Sequence, residues 1–426
     1  MSINTVQDDT WDPNWRGFIG TTFIVILEEF HSLLPQTLQD NMLQSLHLNA
    51  IGDTYRVGGV DDDNLYPEYS NAAIMHATVS GWVGRKTGDT NLTADGEKWA
   101  SDIVALFDRN GTLSEFNGPT YAGVSLFGLT LWAKYLPQDS VMGANGGRMI
   151  TAVWDSIGSL YNANLKNIAG PWDRSYGFDM IRYLSIISLY IWTLIGLPAS
   201  PLYHNPQAVA HTDDFEIGPL VAILAPFHST FVSPTALASL TTFPGTHFVH
   251  TSAYSPFADL APRNYTTYLS PGLTIGAQSF SENVIGGPSI NPSQFNPVVA
   301  QWEREEGNNS IGFFSLYAQE KALQADVGEG RLELWYPEGN CSSTFTFLVS
   351  PNDISGPRNV RSWEDVKGIS VNVSAGTVDF VPTIAFCGLR GGLCDAINGF
   401  DVWNITYYMP EGSTAIPSIV LDIALE

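Results

Sequence analysis

LASLTTFPGTHFVHTSAY, residues 237–254, contains the change of pattern that decides the fold. Upstream of its Pro244-Gly245 break, apolar residues return at three- and four-residue spacing, the period of a helix face. Downstream come short runs rich in Thr, Val, Tyr and Phe, separated by Pro, Gly, Asn and Asp at strand-like intervals. Working back towards the N-terminus, helical runs cover 15–34, 35–48, 68–84, 93–107, 119–136, 146–167, 175–195 and 215–227. Thr93 with Glu97, Pro119 in a first turn, and the Gly170-Pro171 break punctuate them. The longest runs are apolar nearly all round, so they must be covered on several sides. The expected architecture over 1–240 is an α/α-toroid of antiparallel helical hairpins. Working forward, THFVHTSAY, NYTTYLS, LTIGAQSF, RLELWY, STFTFLV, ISVNVS, TVDFVPTIAF and VWNITYYM predict an antiparallel β-sandwich over 241–426. The chain is therefore expected to be α+β with two domains, packed closely because segment 237–245 is short.

The 426 residues include 43 acidic and 19 basic side chains, a formal charge of −24. A surface so short of cations suits neither a row of phosphates nor an anionic bilayer, so nucleic acid and membrane partners are not expected. Only 15% of residues are charged and 44% are hydrophobic, which describes a packed chain and not an acidic disordered one. The most apolar stretch, 183–197, is uncharged but shorter than a bilayer span and reads as a buried helix. Asn91, Asn110, Asn264, Asn308, Asn340, Asn372 and Asn404 each begin an Asn-x-Ser/Thr acceptor, the signature of N-linked glycans. Of three cysteines, Cys387 and Cys394 are the closest candidates for a disulfide. Together these features point to a secreted or secretory-pathway glycoprotein. The N-terminal residues lack an apolar signal core, so a signal peptide is expected to be absent or already removed.

Dinucleotide, Walker, zincin and GxSxG motifs are missing, and no metal or other cofactor is expected. The run Asp61–Asp63 lacks EF-hand spacing and reads as a solvated loop. Two segments concentrate polar and aromatic chemistry at helix mouths: Glu115-Phe116-Asn117-Gly118-Pro119-Thr120-Tyr121, and Gly170-Pro171-Trp172-Asp173-Arg174-Ser175-Tyr176-Gly177-Phe178-Asp179. Asn117 reads equally as a helix cap. Asp179 and Arg182 are spaced to pair on one helix face. Tyr203-His204 and His211 to Asp214 follow a Pro-broken loop and reach towards the same mouth.

EFNGPTYAGVSL and GPWDRSYGFDM resemble the motifs of a family of fungal secreted glycoproteins. Their helical part is similar to the α/α-toroid of heparinase- and chondroitinase-type lyases, and the likeness covers roughly residues 10–230. The motif more often reads Asn-Ser-Pro-Thr-Tyr, with Asp where this chain has Ser125, so a carboxylate is missing from the presumed cleft. Within that layout the chain resembles the glycosylated hetero-Diels-Alderases of tropolonic sesquiterpenoid biosynthesis. The resemblance implies a [4+2] addition of a tropolone quinone methide to a humulene-type alkene, both small, apolar or aromatic substrates. Such a reaction needs orientation and oxygen-polarising donors, not a nucleophile. On that reading Asp173 or His204 donates a proton. Arg174, Tyr121 and Tyr176 hydrogen-bond the tropolone oxygens, and Trp172 and Phe178 form walls. The alternative is a toroid-type polysaccharide lyase or glycosidase. There Asn117 and Arg174 would neutralise a uronate with Tyr121 or His204 as base, or Asp173 and Asp179 would act as paired carboxylates.

Overall fold

The computed structural model describes residues 12–56, 64–176, 184–204, 212–256, 258–287, 290–305, 307, 310–350, 360–388 and 402–426. Helices come first: α1 Trp15–Phe30, α2 Gln36–Asp53, α3 Ser70–Thr87, α4 Thr90–Asn110, α5 Pro119–Tyr135 and α6 Val141–Leu160. A two-residue hairpin follows, β1 Tyr161–Asn162 and β2 Asn167–Ile168, and then α7 Ser185–Ile195, α8 Gly218–His228 and α9 Pro234–Thr241. The strands are β3 His247–Ala253, β4 Arg263–Leu269, β5 Leu273–Ser281, β6 Val298–Glu303, β7 Ile311–Leu316 and β8 Ala322–Gly328. They continue with β9 Arg331–Trp335, β10 Thr344–Ser350, β11 Ile369–Gly376, β12 Thr383–Cys387, β13 Val402–Tyr408 and β14 Ser418–Leu425. The architecture is α+β: helices, then antiparallel strands.

Local chemistry accounts for the helices. Asp89 caps α4 by accepting from the amides of Asn91 and Leu92, and Gly111 ends it at φ +72°. Between these stops, Leu92, Gly96, Ala100, Ile103 and Phe107 form its buried stripe. The helices α3 and α4 meet on glycines, where a Cβ on Gly96 would lie 2.5 Å from the Gly81 nitrogen. Both α3 and α5 are buried along most of their length, as their all-round apolar sequences require.

The strands of β3–β14 form one antiparallel sheet that branches at β5. Residues 274–277 of β5 pair with both β4 and β6, whereas its last two residues pair with β8 and lead into β9, β14 and β11. The two arms share a core: Leu332, Leu421 and Ile423 of one arm meet Phe314, Phe347 and Ile405 of the other. Ala253 and Tyr265, from the first two strands, belong instead to the helical core.

Several boundaries differ from the sequence reading. The run 146–167 stops being helical at Leu160, where the chain turns into the β1–β2 hairpin. In the run 175–195, helix begins only at Ser185, and Trp172 bridges to Asn296 beside the sheet. Segment 237–245, read as a connection, begins inside α9, which Ser233 caps and Pro234 opens. Strands β6, β7, β8 and β14 lie outside the runs read as strands; β6 and β7 are buried on both faces along nearly their whole length and show no alternation. Among the described residues, no single helix is long and apolar enough to cross a membrane. Asp61–Asp63, Asp179, Arg182 and His211 lie outside the described residues.

A charged histidine clamps three helices. His76 on α3 is buried, with Nδ1 3.4 Å from Asp53 of α2 and Nε2 3.0 Å from Asp95 of α4. Arg56 and Arg16 also approach Asp53, at 3.3 and 3.8 Å. Burial opposes protonation, but hydrogen bonds to the two carboxylates outweigh it and push His76 up to about 9. The stabilisation is complete below the ordinary histidine value of about 6.5 and is lost as pH rises through 9. His76→Gln is therefore expected to cost about 3 kcal/mol at pH 6. Denaturant unfolding should show the gap between variant and wild type closing by pH 10.

Candidate functional site

The two polar segments picked out of the sequence clasp each other. Asn117 adopts φ +47°, and its side-chain amide donates to the carbonyls of Ala169 (2.8 Å) and Pro171 (2.7 Å). The Phe116 amide donates to Asp173 at 3.0 Å. Beneath the second segment, the Gly170 carbonyl accepts from Thr267 at 2.7 Å and crowds β5 so closely that a Cβ on Gly276 would lie 1.8 Å from it. Only glycine fits there.

This clasp carries Arg174 into a tyrosine cage. Its guanidinium lies 4.3 Å from the ring centre of Tyr121, 5.0 Å from Tyr69 and 5.7 Å from Tyr176. It donates to the Tyr69 hydroxyl and, at 3.1 Å, to the Tyr176 hydroxyl, which is 2.9 Å from the Tyr121 hydroxyl. Glu115 stands 3.6 Å from the guanidinium and accepts from the Asn71 side chain at 2.8 Å. The members come from the starts of α3 and α5 and from the 170–176 loop, so three chain segments must converge to build the cage. Nearby, Ser185 at the start of α7 donates to Asp214 at 3.3 Å.

Burial sets the protonation here. It raises the Glu115 carboxyl above its usual value against the opposing pull of Arg174 and Asn71. It also holds Tyr69 at about 12 and Tyr121 well above the phenol range. The site thus presents one cation, neutral hydroxyl donors and a carboxyl biased towards its acid form. Such groups are of the kind that can hydrogen-bond and polarise oxygen atoms. Tyr176 is half-buried, whereas Arg174, Tyr121 and Tyr69 are buried. Beside Glu115, a narrow crevice runs between Phe116, Asn117 and Ala122 on one side and Val153 and Ile157 of α6 on the other.

Behind the cage lies a second buried network. Asp173 is wholly buried, 2.7 Å from Arg263, and accepts from Tyr265 at 2.7 and 2.9 Å and from Gln278 at 3.3 Å. Arg263 also meets Asp259 at 2.9 Å and donates to the Ser114 carbonyl at 2.8 Å. Burial raises Asp173 to about 6 despite Arg263. Glu282, on the same network, is pushed up to about 8 by burial, again against Arg263. One of its oxygens accepts from the Gly286 amide at 3.3 Å, and the other has no hydrogen-bond partner among the described residues.

The sequence candidates therefore separate. Arg174, Tyr121 and Tyr176 come together. Asp173 and Asn117 hold the loops that carry them. Trp172 is fully buried against Val299 and Phe313, so it packs the loop onto the sheet. Phe178 and the His204 side chain lie outside the described residues, as do Asn308 and Cys394. Tyr203 is half exposed, with Lys166 over its ring. Tyr69 and Asn71 carry no local signal, and Glu115 stands inside the quoted motif without a partner visible in sequence. Asn91, Asn264, Asn340 and Asn372 are exposed, and Asn110 is tied to Ser252. Cys387 is disulfide-bonded and Cys341 is a free thiol. Among the described residues, no group of three or more His, Cys, Asp or Glu side chains is placed to hold a metal ion.

Because the folded state holds the Glu282 proton above its usual value, this group's stabilisation is lost as pH rises from about 4.3 through 8. Glu282→Gln keeps the shape and removes the titration. The variant is expected to exceed wild-type stability at pH 8 by about 2 kcal/mol or more, and to match it near pH 4, in paired urea unfolding curves.

A family model described as Domain of unknown function (DUF8769) matches residues 3–226, and one described as Domain of unknown function (DUF8770) matches residues 245–424. No curated protein matches the chain.

Proposed function

This chain belongs to the family described as Domain of unknown function (DUF8769), a description that names no activity, and from its site we propose a pericyclase. The reaction is an intermolecular hetero-Diels-Alder addition of a tropolone quinone methide to a humulene-type sesquiterpene. One observation carries the reading: Arg174, Tyr69, Tyr121 and Tyr176 form one hydrogen-bonded cluster of donors beside Glu115, whose carboxyl burial raises above its usual value. The resemblance of the two clasped segments supplies the substrate class.

A cycloaddition forms its bonds within one ordered array, so the protein's work is to hold the partners and draw electron density onto the diene oxygen. The Arg174 fork suits the adjacent oxygens of a tropolone, and the tyrosine hydroxyls add neutral donors that cost no extra buried charge. Forming the quinone methide expels water from a hydroxymethyl precursor. The departing hydroxyl takes a proton from Glu115, the acid beside the cage, and the ring hydroxyl returns its proton to that carboxylate as its oxygen becomes the quinone-methide carbonyl, so water leaves and the acid is restored. Asp173, already engaged by Arg263, Tyr265 and Gln278, positions Arg174 through the loop they share, and His204 stays a second donor by sequence. Engagement of the Asn117 amide by two backbone carbonyls favours this reading over uronate cleavage, where that amide would face substrate.

The finer architecture belongs to the same proposal. Helices 1–240 are read as an α/α-toroid, supported by consecutive helices packed as hairpins around α3 and α5. Strands 241–426 are read as a β-sandwich, supported by two sheet arms sharing one core. A secretory glycoprotein is supported by the four exposed acceptor asparagines and the disulfide at Cys387.

Purified protein mixed with a hydroxymethyl tropolone and humulenol is expected to yield a mass-detected adduct. Arg174→Gln should lower its rate on the order of a hundredfold or more, the scale of losing one charge-assisted donor. Cleavage of uronic polysaccharides with no adduct would overturn the assignment.

A further inference from the structure

The sheet carries a second concave site, on elements that contribute nothing to the cage. Strands β10 and β13 pair with Thr344 opposite Tyr408, Thr346 opposite Thr406 and Leu348 opposite Asn404. Phe345, Phe347, Ile405 and Tyr407, the alternate residues, enter the sheet core. The first set therefore faces outward, and it floors an open groove of about 830 Å³. Tyr317 and Gln319, just after β7, and Ser342 and Ser343, just before β10, complete its lining.

The chemistry of this lining is specific. Among the described residues that line it there is no Lys, Arg or His, and the one carboxylate, Glu320, already accepts from Ser343 at 2.7 Å. A phosphate or carboxylate ligand would find no cation, and a cationic ligand would find only a carboxylate in use. Strand β13 is paired on both sides, to β10 and β12, so the floor offers no open backbone edge for an added peptide strand. What remains is a neutral field of Thr, Ser, Gln and Asn groups flanked by two tyrosines. Tyr408 is 46% exposed, and Thr344 is fixed against Gln319 at 2.5 Å. Hydroxyl and amide groups that donate and accept in many directions, beside aromatic rings, match a ligand with hydroxyls around its rim and C–H groups on its faces. The volume is within the range of small-ligand sites.

We propose that this groove binds a neutral oligosaccharide, with its pyranose face on Tyr408 and its hydroxyls on Thr346, Thr406 and Gln319. Such a sugar has two sources. It is either free in solution or attached to this chain, because Asn404 on the floor and exposed Asn340, two residues from Ser342, both begin N-glycan acceptors.

The full chain, before and after enzymatic removal of N-glycans, is titrated calorimetrically with trimers of β-1,4-N-acetylglucosamine, α-mannose and β-1,3-glucose. Saturable binding of at least one trimer is expected. Binding by both forms identifies a free ligand. Binding only after deglycosylation, reproduced by Asn340→Gln or by Thr406→Val, which removes the Asn404 acceptor, identifies the chain's own glycan as occupant. Tyr408→Ala and Gln319→Ala alter exposed side chains and should each weaken binding at least tenfold with unchanged melting temperature. The absence of saturable binding in every form, or full affinity in both variants, overturns the proposal. Because neither variant touches the cage, cycloaddition activity measured in parallel reports separately on that reading.

Discussion

Asp173 and Arg263 lie 2.7 Å apart with no exposed surface on either, and most of the site geometry follows from what that pair requires. Two ions taken out of water lose several kcal/mol of hydration each, and their mutual attraction offsets this only when further hydrogen bonds complete both shells. The completing groups here are widely separated in sequence. The Phe116 amide, Tyr265 and Gln278 serve Asp173, and Asp259 and the Ser114 carbonyl serve Arg263. Satisfying one ion pair therefore fixes the loop before α5, the 170–176 loop, β4 and β5 relative to one another. The ion pair is where helices and sheet are registered.

The cage inherits that rigidity. Arg174 follows Asp173 in the chain, so its backbone is pinned on one side by the ion pair and on the other by Ser175, whose amide donates to Gln294 at 2.9 Å. The guanidinium then has little freedom except to enter the three rings. Preorganisation of this kind lets a donor act on developing charge without reorganising at the moment of reaction. It also assigns the wholly buried Asp173 and the loop-bridging Asn117 a supporting part: they hold the cage residues in place.

The same network places titratable groups where solvent does not reach. With Asp173, Asp259 and Glu282 gathered around Arg263, carboxylates outnumber the cation, and burial raises the proton affinity of all three against its pull, Glu282 to about 8. His76 shows the converse, a single imidazole between two carboxylates that keeps its proton for their sake. The surface excess of acid and the protonated interior are consistent with a chain at its firmest in mildly acidic surroundings.

The sequence alone determined the division into a helical and a stranded half, because local period and turn residues are written in consecutive positions. It likewise marked 115–121 and 170–176 as chemically loaded, since Tyr, Arg, Asp and Trp beside Gly and Pro are legible without a partner. Roles within those segments were not legible. Asp173 and Arg174 are neighbours in the chain with opposite fates, one in an ion pair with β4 and the other among tyrosines, and only the folded surroundings separate them. Tyr69, more than a hundred positions from Arg174, has no local signature of belonging to the cage. Strands β6, β7, β8 and β14 were missed; β6 and β7 are buried on both faces, which erases alternation, and unlike the equally buried β10 they carry no Thr to mark them. Tertiary structure decided these matters because charge pairing, burial and ring stacking depend on distances in space, which sequence separation does not encode.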